Sequence, residues 1–139
     1  MQILKGKVST FGGAADKGMI ADTGLALYEP TEAAMRPDLF FPDHYEPKQP
    51  TWKLLNPDAM YCAMRFKELF PTINYAIGKG RIFLQQWPVK IINPTSRKFV
   101  IAWMVDCGPA SETSRLIDVS PGIAKLLELE TDYEVEVEI

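Results

Sequence analysis

A chain of 139 residues has the length of one ordinary domain, and 47% hydrophobic content with 11 prolines suits a single core wrapped in irregular connections. A formal net charge of -3 and an isoelectric point near 5.2 supply no basic footprint, which argues against nucleic acid or an anionic membrane as partner and favours a neutral or cationic ligand. No apolar run approaches the ~20 residues of a membrane span, and Met1-Gln2-Ile3-Leu4-Lys5 lacks the apolar core of a signal peptide, so either the protein stays inside or a leader has been removed.

In chain order, residues 6–11 alternate weakly and predict a first strand, ending at Gly12-Gly13, where small residues let the backbone turn sharply or approach a ligand. This stretch has no Gly-Lys-Ser/Thr signature and no dinucleotide-binding spacing, so a turn or a ligand-facing loop is expected rather than a phosphate cradle. Residues 20–28 predict a second strand interrupted by Asp22-Thr23-Gly24, with Asp22 a turn residue or a cleft-lining one. From about 29 to 56 the chain reads as a Pro- and aromatic-rich insertion. Pro30, Pro37, Pro42, Pro47 and Pro50 break regular structure, while Phe40, Phe41, Tyr45 and Trp52 supply aromatic surface. A long ordered loop, of the kind that serves as a lid or binding loop, is expected. His44, the single histidine, lies within it; further ligands do not cluster around it, so no metal and no other cofactor is expected.

Asn56-Pro57-Asp58 reads as a helix start, with Met60, Met64, Phe66 and Leu69 as the apolar stripe and Pro71 as the end. Gly78-Lys79-Gly80 predicts a flexible turn before a strand at 81–84, and Gln85-Gln86-Trp87-Pro88 an exposed Trp87. Residues 89–92 and 98–105, rich in β-branched and aromatic side chains, predict two more strands. Ser120-Pro121 places an N-cap before a proline at the first helical position, and Ile123, Leu126 and Leu127 follow on one face. Residues 133–139 alternate apolar with acidic, the pattern of a half-buried strand whose glutamates face water. Core positions are expected to include Val8, Ile91, Val100, Ala102, Met104, Leu116, Ile117, Leu126, Val135 and Val137. Cys62 and Cys107 are expected within reach of one another, Cys62 on a helix covering the strand that Cys107 follows; spacing alone does not establish a disulfide.

Two aspartates organise the second half. Asp106 leaves the run 98–105 into Cys107-Gly108-Pro109, and Asp118 ends Leu116-Ile117 just before the Ser120 cap. The Gly-Pro turn and polar loop between them can return the chain, bringing two carboxylates to one cleft. Taken singly, each has a bland reading, because Asp side chains accept backbone amide hydrogen bonds in turns and at helix entries.

Gly6-Lys7-Val8-Ser9-Thr10-Phe11-Gly12, Val89-Lys90-Ile91-Ile92-Asn93-Pro94, and Asp106-Cys107-Gly108-Pro109 with Arg115-Leu116-Ile117-Asp118-Val119-Ser120 resemble, in order and spacing, the double-psi β-barrel of rare lipoprotein A. Its relatives include family 45 glycoside hydrolases, barwin-like proteins, expansins and membrane-bound lytic transglycosylase A, all of which act on or bind polysaccharides. The resemblance covers roughly residues 6–20 and 88–139. It implies a mainly β fold: one domain over 1–139, a six-stranded double-psi barrel with short helices and a long Pro-rich insertion. The strands ending at Phe11 and Val105 are then expected to place Asp16 and Asp106 on the same face. By the same resemblance, Asp106 falls on the aspartate of an Asp-Arg-Gly-Pro motif, with Cys107 in place of the arginine. Asp118 falls on the aspartate of the His-Phe-Asp motif, the proton donor of the hydrolases. Asp16 falls on the aspartate of a Tyr-Gly-Gly-x-x-Asp segment in expansins and plant barwin-like proteins. Where rare lipoprotein A carries a catalytic histidine, Tyr61-Cys62-Ala63-Met64-Arg65 offers Met64 or Arg65.

Glycosidic cleavage needs a carboxylic acid that donates to the leaving oxygen and a second group that activates water or stabilises an oxocarbenium-like transition state. Asp118, Asp106 and Asp16 are the catalytic candidates, and Thr10, Phe11, Gly12, Gly13, Asp22, Trp52 and Trp87 the substrate-binding ones. The resemblance implies a monomer that cleaves or remodels a polysaccharide, peptidoglycan or a β-glucan, outside the cell or in its envelope. The rivals are an expansin-like module that binds or loosens polymers without hydrolysis, its aromatic rings stacking on sugars, and a protein-interaction barrel with an inert cleft.

Overall fold

The computed structural model describes residues 2–13, 25–46 and 49–139, with backbone alone for 43–46 and 49–52. Strand β1 (Ile3–Thr10) holds Val8 in the core and turns Ile3, Lys5 and Lys7 to water. Five further strands join it: β4 (Tyr61–Ala63), β5 (Pro88–Ile92), β6 (Phe99–Asp106), β7 (Arg115–Val119) and β8 (Glu134–Glu138). They close into a barrel in the ring order β1-β7-β4-β6-β5-β8. Closure leaves no barrel strand with an unpaired edge. The interior is filled by Val8, Cys62, Val89, Ile91, Ala102, Met104, Ile117, Val119, Val135 and Val137, all buried. The glutamates of β8 do face outward, but each stands beside a lysine: Glu134 opposite Lys7, Glu136 opposite Lys5, and Glu138 opposite Lys90. Opposite charges paired across strands contribute roughly 0.2–1 kcal/mol each.

The pairing has an internal twofold character. Exchanging β1 with β6, β4 with β7, and β5 with β8 returns the same ring. The two parallel pairs, β1 with β7 and β4 with β6, then change places, as do the antiparallel pairs β1 with β8 and β5 with β6. Single hydrogen bonds obey the exchange too. Phe11 N donates to Val119 O (3.0 Å), as Gly108 N does to Met64 O (3.3 Å). Val8 O accepts from Asp132 N (2.7 Å), as Val105 O does from Leu27 N (3.2 Å). This mixed six-stranded barrel is compatible with the double-psi connectivity.

Helix α4 (Pro121–Leu127) begins as expected, the Ser120 hydroxyl accepting from Ile123 N at 3.1 Å. Several local expectations are corrected. Asn56-Pro57-Asp58 opens a turn rather than a helix, and the residues assigned to that helix form β4 and then the single-turn α2 (Phe66–Leu69). Cys62 therefore lies in a barrel strand, and both cysteines are free thiols. Residues 78–85 form helix α3 (Gly78–Gln85) where a turn and strand were expected. Gly80 there serves close packing, since a Cβ would fall 1.8 Å from Asn74 O. Residues 29–56 are not one long loop: α1 (Pro30–Ala33) leads into the antiparallel pair β2 (Phe40–Glu46) and β3 (Gln49–Leu55). Both strands of a two-stranded sheet are edges, which is why Pro42 and Pro50 are tolerated in them. Buried Leu27, Tyr28, Leu39, Phe40 and Leu55 seat this unit on the barrel. Arg36 Nη1 donates to Tyr28 Oη at 2.9 Å, and Arg81 of α3 meets Glu32 at 2.9 Å. Of the expected core, Leu126 is 56% exposed because it lies on the outer side of α4, and Val100 and Leu116 are half-buried.

Candidate functional site

Ala63, at the end of β4, is the register partner of Asp106 on one side and of Asp118 on the other. Two inter-strand spacings therefore separate the aspartate Cα atoms, about 10 Å. Of the sequence candidates, these are the two that the structure brings together.

On β7 the alternation that buries Ile117 and Val119 inside the barrel turns Asp118 outward, where it is half-buried. Its Cα partner on β1 is Ser9, whose Oγ donates to Asp118 Oδ1. On its other flank lies Gly108, where a Cβ would sit 3.5 Å from Asp118 Oδ2 and the backbone holds φ at +153°. Glycine accepts there a backbone conformation that other residues adopt at a cost.

Asp106 is differently engaged. Its Oδ1 accepts from Ala26 N (3.0 Å) and Cys107 N (2.9 Å), tacking the start of the inserted unit to the barrel. Burial raises its proton affinity above the ordinary aspartate value, and the two amides pull the other way. Burial likewise pushes both the Cys62 and Cys107 thiols up, so neither is an activated nucleophile.

Residues 107–114 connect the two aspartate strands through a short 3-10 turn, Ser111–Thr113. Arg65 reaches across from the end of β4, its Nη1 donating to Pro109 O (3.0 Å) and to Arg115 O (2.8 Å). Met64 is buried in the core.

Thr10 and Phe11 continue β1 beside Asp118, Thr10 pairing with Val119 and Phe11 N donating to Val119 O at 3.0 Å, and the other candidates fall elsewhere. Thr10 is exposed at the end of β1, but Phe11 and Gly12 are buried under Tyr61. The Phe11 and Tyr61 rings meet edge-on at 5.0 Å, Tyr61 Oη donates to Phe11 O at 2.8 Å, and a Cβ at Gly12 would fall 1.9 Å from that oxygen. Gly13 lies against Pro57 and Pro121. Trp87 is not displayed singly: it packs with Phe70 (5.0 Å) and Phe83 (5.5 Å), its Nε1 buried without a hydrogen-bond partner among the described residues. Asp16 and Asp22 lie outside the described residues, as do the side chains of Trp52 and His44. The strands expected to carry Asp16 and Asp106 to one face run antiparallel. β1 parallels β7, β7 opposes β4, and β4 parallels β6; the registers set Ser9, Asp118, Ala63 and Asp106 in one row across these four strands, so the exits of β1 and β6 both border the β4–β7 pair.

Among the described residues no three His, Cys, Asp or Glu side chains converge to hold a metal ion, and no helix is long and apolar enough to cross a membrane. A groove of about 390 Å³ lined by Asn93, Thr95, Ser96, Glu128, Tyr133 and Glu134 does not include either aspartate. Sequence reasoning missed Ser9; its signal was an outward position on β1 next to inward Val8, a pattern that does not name a partner. Comparison of the chain with protein-family models and with curated proteins gives no match.

Proposed function

We propose that this barrel acts on a polysaccharide, with Asp118 as the general acid in glycosidic bond cleavage. The observation that carries this reading is the Ser9 hydroxyl on Asp118. A hydroxyl donates to a carboxylate and, rotated, accepts from a carboxylic acid, so it serves both states of a group that gives up and regains a proton. Backbone amides, which hold Asp106, can only donate and favour the charged form. Asp106 thus fastens the chain at Ala26, and Asp118 is the member assigned the proton transfer. The resemblance supplies the substrate class, peptidoglycan or a β-linked glucan.

The test is release of soluble fragments from cell-wall, cellulosic and chitinous polymers by the unmutated chain and by Asp118→Asn. Release that disappears in the variant while its melting temperature is retained supports the reading. No release from any polymer defeats it. A second reading, binding without chemistry, is favoured by the Phe70, Phe83 and Trp87 cluster, in which Phe83 is 43% exposed and could stack on a sugar ring. Polymer retention without fragments, lowered by Phe83→Ala and unaffected by Asp118→Asn, would select it.

A further inference from the structure

We infer that Arg65 is a positioning residue that cinches the neck of the 107–114 loop and so holds Gly108 against Asp118; its catalytic consequence rests on the reading of Asp118 as the acid. The two carbonyls that Arg65 Nη1 bridges, Pro109 O and Arg115 O, stand at the entrance and exit of the loop. Between them, residues 110–114 are exposed, and hydrogen bonds run within the loop: Thr113 Oγ1 to Ala110 O (2.7 Å) and Ser114 N to Ser111 O (3.2 Å). Pro109, just inside the neck, is buried. The loop therefore stands as an exposed tip on a closed base, held by this guanidinium together with Gly108 N, which donates to Met64 O at 3.3 Å. Gly108 borders the neck, with the space for its missing side chain 3.5 Å from Asp118 Oδ2.

An independent observation comes from the twofold exchange. Ala63 corresponds to Asp118, so Arg65, two residues on, corresponds to Ser120. Ser120 spends its side chain capping α4, whereas Arg65, at the N-cap of α2, makes no side-chain cap bond. Its donors go to the loop, and Nε faces Glu68 at 3.4 Å. Both bonds leave one nitrogen whose two N–H groups lie fixed in the guanidinium plane, a plane that Nε also holds toward Glu68; a lysine ammonium on its flexible stem fixes no such plane.

The experiment uses the full chain with Arg65→Met and Arg65→Lys. The first readout needs no activity: the rates at which N-ethylmaleimide modifies Cys107, half-buried at the start of the loop, and Cys62, buried in the barrel, followed by peptide mass spectrometry. Release of the neck speeds Cys107 modification about tenfold while Cys62 stays protected, with the lysine variant between the extremes. The second is fragment release: kcat falls about tenfold or more with KM little changed, because a displaced wall costs the chemical step. Unchanged Cys107 reactivity in both variants overturns the inference. So does simultaneous exposure of both thiols in Arg65→Lys, which would mean that Arg65 serves only global stability. Should the unmutated chain release no fragments, the acid reading fails, while the thiol rates still decide whether Arg65 holds the loop.

Discussion

The two halves of the barrel present the same backbone scaffold with different chemistry. In the second half, β7 carries Asp118 against Ser9 of β1 and is followed by the cap Ser120. In the first, β4 carries Ala63 against Asp106 of β6 and is followed by Arg65. The two carboxylates are thus not equivalent: one projects from the middle pair of strands, the other from an outer strand. What the difference teaches is that topology supplies matching positions, and the side chains decide what each of them does. Ala63 leaves its position without a functional group, and Asp106 spends its carboxylate on two amides.

The sharpest test of that contrast is the pair of aspartate variants. Asp118→Asn is expected to lower fragment release by about 10²–10⁴-fold, the range for removal of a general acid, and Asp106→Asn by far less. Equal losses would erase the distinction. Next comes a pair of glycines at the matching strand exits. Gly12→Ala places a Cβ on the Tyr61 hydroxyl at a φ of +90°, and is expected to cost roughly 2–4 kcal/mol in denaturant unfolding. Gly108→Ala meets only an ordinary contact and is expected to cost about 1 kcal/mol in stability, its larger effect falling on activity. Ser120→Ala, which removes a cap bond, is expected to cost about 1 kcal/mol, a loss that Arg65→Ala cannot incur by the same route.

The smallest effect concerns pH. Burial raises the folded-state proton affinity of Asp106, so the folded chain holds that proton more tightly than the unfolded one. The stability linked to its protonated form is present below the ordinary aspartate range and is lost as pH rises through the raised value. Asp106→Asn lacks this loss. Urea unfolding at pH 3 and pH 7 should therefore show the variant gaining on the unmutated chain at the higher pH; a constant difference would show that Asp106 titrates normally.

Patterned elements were legible in the sequence. β8 alternates because one side of it faces water, β6 is a long β-branched and aromatic run, and Ser120-Pro121 carries a helix start in two residues. β4 was not legible, because a strand buried on both faces has no alternation, and Met60-Tyr61-Cys62-Ala63-Met64 looks the same as one side of a buried helix. α3 was hidden by Gly78 and Gly80, which read as a turn although Gly80 is needed for packing against Asn74. Hairpin β2–β3 was hidden by its prolines. The two aspartates could be picked out from the turn between them. Ser9 could not, since it meets Asp118 from 109 positions away and only the closed barrel makes them neighbours.

The ring order also governs when the barrel can assemble. β1, the first of the six barrel strands in chain order, takes β7 and β8, the last two, as its barrel neighbours. During synthesis its backbone donors and acceptors stay without their barrel partners while the rest of the chain emerges, and closure waits for the C-terminal strands. Such long-range pairing makes folding slow and leaves Val8 and its neighbours open to aggregation or chaperone capture in the interval. The Ser9–Asp118 pair inherits that timing, because Ser9 comes from the first barrel strand and Asp118 from the last but one.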